Sequence, residues 1–194
     1  MNKKYLLATQ DLYEDSIKHK VSYNVARKEA FLAISNLNAA FQRLTQDPKS
    51  KQKEFQLIYE MVTLNQTLIS AIASIGTFIS THKTTLASIE FNVLIKKISN
   101  TLQMSVESLE HVQIDEKVTE ETAVDAQEKL LDKYQQLTNL RDKNIDQDNT
   151  EIDTETLHAH QEAYLITNHM SWLKSLSENL KKVTEGYRSS IVED

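Results

Sequence analysis

The chain has no cysteine, and its 194 residues include only two glycines, one proline and one tryptophan. Without cysteine there are no disulfide frameworks, thiolate zinc sites or cysteine nucleophiles, a composition compatible with a reducing compartment. Glycine and proline normally supply about 7% and 5% of a chain, so little is left here from which to build turns. That scarcity favours an all-helical protein over a sheet-rich one and rules out a glycine-rich phosphate loop. The opening MNKKYLLATQ lacks the apolar run and small-residue cleavage site of a signal peptide. Spanning a bilayer takes about 17–25 mostly apolar residues. The nearest approach, residues 68–79, is short and interrupted by Ser70, Ser74, Gly76 and Thr77, so no span is expected and the chain as given reads as soluble.

What is present is charge, unevenly distributed. Residues 1–104 carry 13 Lys+Arg against 8 Asp+Glu, a balance of +5, whereas residues 105–194 carry 9 against 20, a balance of −11. An anionic surface such as lipid head groups is the partner this asymmetry fits, with a mixed solvated surface as the plain alternative. The basic residues are scattered and no nucleic-acid-binding signature accompanies them, so nucleic acid is not an expected partner.

Apolar residues at helical spacing run through the whole chain. Ala30, Ile34, Leu37, Phe41 and Leu44 step by four, three, four and three, the period of one buried helix face. Leu6, Tyr13, Ile17, Val21 and Val25 lead into this stripe, predicting a first helix over 3–45 that ends at Asp47-Pro48, with a kink or a frayed start as the alternative to so long an unbroken helix. A second helix over 50–80 places Phe55, Ile58, Val62, Asn65, Ile69, Ile72 and Ile75 or Ile79 inward, beside a small-residue strip of Ser70, Ser74 and Thr77. A third, over 86–112, turns Ile89, Val93 or Leu94, Ile98, Leu102, Val106 and Leu109 inward. The fourth opens on Thr119 as N-cap, with Val124, Leu130, Leu131, Tyr134, Leu137 and Leu140 as its core face. After an acidic linker at 146–153, Thr154 caps a last helix to about 187, with Leu157, Tyr164, Leu165, His169, Trp172, Leu176 and Leu180 inward. The prediction is a single domain over 1–194: an all-α antiparallel bundle of about five long helices.

Catalytic chemistry finds little support. Glu155, His158, His160 and Glu162 invite a metal reading, but a di-iron bundle needs two Glu-x-x-His elements and this chain has one. His158 and His160, two apart, fall on different helix faces, so these read as solvated residues near a helix start and no metal or cofactor is expected. Glu120 and Glu121 read as a solvated acidic helix start, and no serine sits in a nucleophile elbow. His169 and Trp172 read as core residues. Tyr23 and Arg27, one turn apart, are placed for a cation–π or hydrogen-bonded pair, with simple packing the default.

Three segments carry a resemblance. Tyr23-Asn-Val-Ala-Arg27-Lys28-Glu-Ala, then residues 36–48 (NLNAAFQRLTQDP), and Leu64-Asn65-Gln66-Thr67-Leu68-Ile69-Ser70-Ala71-Ile72 followed by His82 resemble bacterial inner-membrane proteins of the fusaric-acid-resistance and aromatic-acid-exporter type. The resembling part is the soluble cytoplasmic segment that follows the last membrane helix in that family. Lys28 and Lys83 stand where arginine is usual, Asp47 where glutamate is, and Thr45 where leucine is; residues 86–150 match no pattern of the family. The resemblance implies a fragment of a larger exporter on the cytoplasmic face of the bacterial inner membrane. The domain itself would be a non-catalytic scaffold, gate or assembly module, with its own membrane-spanning part as partner. Lys3, Lys4, Lys18, Lys20, Arg27 and Lys28 would then lie near anionic head groups, as cytoplasmic flanks of membrane helices do. Tyr23, Arg27, Lys28 and Arg43 are the membrane-proximal or partner-facing candidates. The long first helix and the small-residue strip make a homo-oligomer reasonable. The alternative is a free-standing helical sensor or adaptor that binds a partner helix or small ligand in its bundle. A metal-dependent enzyme centred on His158 is the least favoured reading.

Overall fold

The computed structural model describes residues 1–46, 54–85, 87–110, 120–146 and 154–192. Among them are six helices and no strand: α1 (Asn2–Glu14), α2 (Lys20–Gln46), α3 (Phe55–Thr81), α4 (Ile89–Glu110), α5 (Glu120–Asp146) and α6 (Thr154–Val192). The all-α bundle is observed, with six helices where about five were expected. The Asp47-Pro48 stop, the Thr119 cap and residues 147–153 of the linker lie outside the described residues.

The additional helix arises because the first one does not run unbroken from 3 to 45. At Asp15 the backbone becomes extended, with φ −151° and ψ 96°. The Asp15 carboxylate accepts the backbone N–H groups of Ile17 and Lys18 at 3.1 and 3.0 Å. A short acidic side chain that satisfies nearby donors stabilises a turn in place of helix. Apolar spacing continues on both sides of this turn, so periodicity alone reads straight through it.

α1, α3, α6 and α4 close a ring, each packed on the next, while α2 lies across α1 and α3 and α5 across α4 and α6. Helices joined in sequence and in contact run antiparallel, as the Tyr5–Tyr23, Asn38–Gln66 and Gln127–Ser171 hydrogen bonds register. One apolar cluster draws on all six helices, including Leu6, Leu12, Leu68, Ile72, Leu94, Ile98, Met170 and Leu173.

Several expected core faces are rotated. Ile17, Val21 and Val25 are exposed, and α2 buries only Tyr23, Ala26 and Ala30, because it has neighbours on one side alone. In α4, Ile89, Val106 and Leu109 are exposed; in α5, Val124, Leu131 and Leu140 yield the interface to Ala123, Ala126 and Leu130. In α6, Leu157, Tyr164 and Trp172 face outward, while Ile166, Met170 and Leu173 form the inner stripe. Ala26, Ala123 and Ala126 are buried at these contacts, as alanine often is, where larger apolar residues were expected.

α3 also corrects the expectation that no segment has the length of a membrane span. By length and composition it is long and apolar enough to cross a bilayer, since the helix continues below residue 68 through Leu57, Ile58, Met61, Val62 and Leu64. Its inner face is buried against α1 and α6, and such core helices pass the same test.

Candidate functional site

Two features of the bundle draw attention: an end that exposes apolar and charged residues, and a buried carboxylate beneath it. Tyr13 packs edge-on against Phe91 with ring centroids 5.0 Å apart, and Gln10 donates to Asn92 at 2.7 Å. These contacts bring the α1–α2 turn and the start of α4 to the same end of the bundle. There Ile17 is 91% exposed, Ile89 78% and Val21 75%, the highest values for large apolar residues among those described. Lys18, Lys20 and Lys83 are exposed at the same end.

The four residues singled out from sequence do not form one surface. Tyr23 is only 3% exposed and turns inward, where its hydroxyl meets that of Tyr5 at 3.2 Å. It faces the interior because Gly76 of α3 leaves room for its ring: a Cβ on Gly76 would stand 2.6 Å from the Tyr23 Cζ. α2 therefore approaches α3 closely at Gly76, beside the Ser70, Ser74 and Thr77 strip. Arg27 and Lys28 are exposed, and the Arg27 guanidinium lies over the Phe31 ring at 5.6 Å, so Arg27 pairs with Phe31 rather than Tyr23. Arg43 is exposed near the far end of α2. Burial and the bond to Tyr23 push the Tyr5 phenol well above its usual pKa, with Arg27 pulling the other way.

Glu162 was expected to be solvated and is instead 5% exposed. Its Oε1 accepts the Tyr13 hydroxyl and the Thr85 hydroxyl, the latter at 3.0 Å, and the Thr85 backbone N–H reaches both oxygens at 3.0 Å. α1, the α3–α4 connection and α6 are thereby tied through one side chain. Burial, then the carboxylate, raises the Tyr13 phenol well above its usual pKa. A carboxylate held by three donors anchors the elements that supply them. The signal that locates it is its register: Glu162, Ile166, Met170 and Leu173 share one helix face, with the acid standing where the stripe calls for an apolar residue.

The histidines divide as their spacing predicts. His158 is exposed, whereas His160 is buried against Tyr134 and bonds Thr138 at 3.1 Å, another departure from the solvated reading. Among the described residues no group of three His, Asp or Glu is placed to hold a metal. His169 Nδ1 donates to the Leu165 carbonyl at 2.9 Å, leaving Nε2 to accept the Ser74 hydroxyl at 3.0 Å, a polar link between α6 and α3. The Trp172 ring meets His169 edge-on at 6.3 Å but lies largely exposed.

The ring of helices is not filled along its whole length. α1 has 13 residues where α3 has 27 and α4 has 22, and beyond its N-terminal end a cleft of about 660 Å³ opens between α2, α3, α4 and α6. No stripe in the sequence marks this cleft, because a void is a property of unequal helix lengths and not of any single helix face. No family model, curated protein or solved structure matches the chain.

Proposed function

We propose that this chain is a non-catalytic cytoplasmic scaffold, gating or assembly domain of a fusaric-acid-resistance-type membrane protein that exports aromatic acids. The observation that carries the reading is the end of the bundle formed by the α1–α2 turn and the start of α4. Ile17, Val21 and Ile89 offer apolar tips there, and the exposed Lys18, Lys20 and Lys83 stand at the same end together with Glu14 and Asp15. Basic side chains mixed with exposed apolar ones suit the anionic surface of a bilayer, where each lysine contributes about 1 kcal/mol near the surface. The α2 flank, with Phe31 and Leu32 exposed, suits a helix of the membrane part or a second copy of the domain.

The test is an immunoblot of membrane and soluble fractions from the source cells. A membrane-bound band several times larger than 22.3 kDa supports the reading, and a soluble band at 22.3 kDa overturns it in favour of a free-standing sensor or adaptor. That second reading has its own support in the cleft at the N-terminal end of α1. Vesicle sedimentation examines the docking end separately: binding to phosphatidylglycerol vesicles and not to phosphatidylcholine vesicles, lost in Ile17→Asp, is the expected result.

A further inference from the structure

The cleft beyond α1 has an aliphatic body with polar residues, Lys3 and Gln103 among them, set into its wall. Leu7, Ile34, Leu37, Met61, Val106 and Leu109 are among its lining residues, and no aromatic ring contributes among the described residues. Its volume of about 660 Å³ lies within the range of small-molecule sites, roughly 300–1,000 Å³. Most polar groups of the wall are engaged with their own helices. Ser105 donates to the Thr101 carbonyl at 3.1 Å, and Thr184 to that of Lys181 at 2.8 Å. Asn65 donates to the Met61 carbonyl and accepts from Asn2.

Lys3 is different. Its ammonium has three donors, and among the described residues its hydrogen-bond partner is the neutral Gln103 amide at 3.2 Å, with no carboxylate within ion-pair distance. Gln103 bonds Glu107 on its other side and so stands between lysine and acid; Glu107 is not a wall residue. The neighbouring cation, Lys4, is already paired with Glu29 at 2.6 Å. The wall therefore combines an aliphatic body with a lysine, Lys3, that lacks an acidic partner among the described residues.

We propose that this cleft binds an aliphatic monocarboxylate of medium chain length, its tail among the leucines and isoleucines and its carboxylate on Lys3. From Leu102 to Leu109 the wall follows α4 for about 10 Å, the length of roughly eight extended methylenes. A ten-carbon acid matches that length. The absence of rings favours a flexible alkyl tail over a flat aromatic body, which would stack on aromatic walls. This inference is independent of the membrane reading and goes beyond it.

The methionines provide the test. The chain has four, and Met1 and Met61 line the cleft while Met104 and Met170 are buried elsewhere. With methionine methyl groups labelled with carbon-13, sodium decanoate is titrated below its micelle concentration. The Met61 methyl resonance is expected to move saturably to a 1:1 end point while Met170 stays in place. Octanoate, two methylenes shorter, is expected to bind about tenfold more weakly. Lys3→Gln, which removes the charge and keeps a polar side chain toward Gln103, is expected to weaken decanoate about tenfold. Ala33→Phe should fill the cleft and abolish the shift; the Lys3 variant decides the matter if that one does not fold. Decyltrimethylammonium binding as tightly as decanoate overturns the proposal. So do equal shifts at Met61 and Met170, which mark a detergent effect, and a Met61 shift that follows protein concentration alone, which marks a second copy as the occupant.

Discussion

α1 carries two buried tyrosines that solve the same problem in different ways. Tyr13, near its C-terminal end, gives its hydroxyl to the Glu162 carboxylate, which also receives Thr85. Tyr5, near its N-terminal end, meets the neutral Tyr23 hydroxyl at 3.2 Å, and the Tyr23 ring is fitted against the bare backbone of Gly76. The first contact is electrostatic and joins three elements through a charge. The second is one of shape, with a single hydrogen bond inside it. A buried charge with all donors in place is stable, but losing any partner exposes the cost of burying it. A shape contact tolerates the loss of a hydroxyl and resists the gain of a methyl group.

The difference sets the order of mutational effects. Glu162→Ala removes the acceptor from the Tyr13 hydroxyl and from both Thr85 donors. Breaking such a buried network costs about 3 kcal/mol, which for a chain of this size lowers Tm by roughly 10 °C. Glu162→Gln keeps one acceptor and should lose about half as much. If both variants melt with the parent by calorimetry, the carboxylate anchors nothing and the comparison collapses.

Gly76→Ala probes the shape contact. Alanine improves helix propensity by about 1 kcal/mol over glycine, so an open position would be stabilised by it. Here the new methyl meets the Tyr23 ring, and the expected result is a net loss of about 2 kcal/mol. The double variant Gly76→Ala with Tyr23→Leu should recover part of that loss, because the clash has gone. A gain in Tm for Gly76→Ala alone would mean that the ring moves aside freely.

Removing hydroxyl groups separates the two tyrosines further. Tyr13→Phe deprives a buried carboxylate of a donor and should cost about 2 kcal/mol, while Tyr5→Phe removes a neutral bond worth about 1 kcal/mol. Alkaline pH applies the same question to both. Each phenol has a pKa raised in the folded state, so its contribution is present in full below about pH 10, where an unfolded tyrosine titrates. Above that pH the unfolded chain loses the proton first, and stability falls by up to about 1.4 kcal/mol per pH unit for each tyrosine. Urea titrations between pH 9 and 11 should show this slope, halved in either Phe variant.

Much of the bundle was legible because helix periodicity and a scarcity of glycine and proline act locally. The start of α6, the inner face of α3 from Val62 to Ile79 and the separation of His158 from His160 all follow from spacing. What escaped depends on neighbours. α6 is rotated so that Ile166 and Met170 face inward in place of Tyr164 and Trp172, a choice made by α3, α4 and α5 together. Glu162 looked like a surface acid because its donors, Tyr13 and Thr85, lie 149 and 77 residues away in the chain. Tyr23 was legible as a distinctive residue but not as a buried one, since the space for it comes from Gly76 on another helix.

Asp15 gives the smallest effect and tests where the two contacts begin to act independently. Its carboxylate accepts the N–H groups of Lys18 and Ile17, which holds its pKa below the usual aspartate value, chiefly through Lys18. The sign follows from the lowered pKa: the contribution is present above about pH 3.9, the unfolded value, and is lost as pH falls through the folded one. Because the group is fully exposed, Asp15→Ala is expected to leave Tm nearly unchanged while hydrogen exchange at the Ile17 and Lys18 amides accelerates. The amide protons around Tyr5 and Tyr13 should keep their protection, since α1 is held from its two tyrosines and not from the turn. Faster exchange along the whole of α1 would instead make the turn the element that seats the helix, and the two tyrosine contacts its consequence.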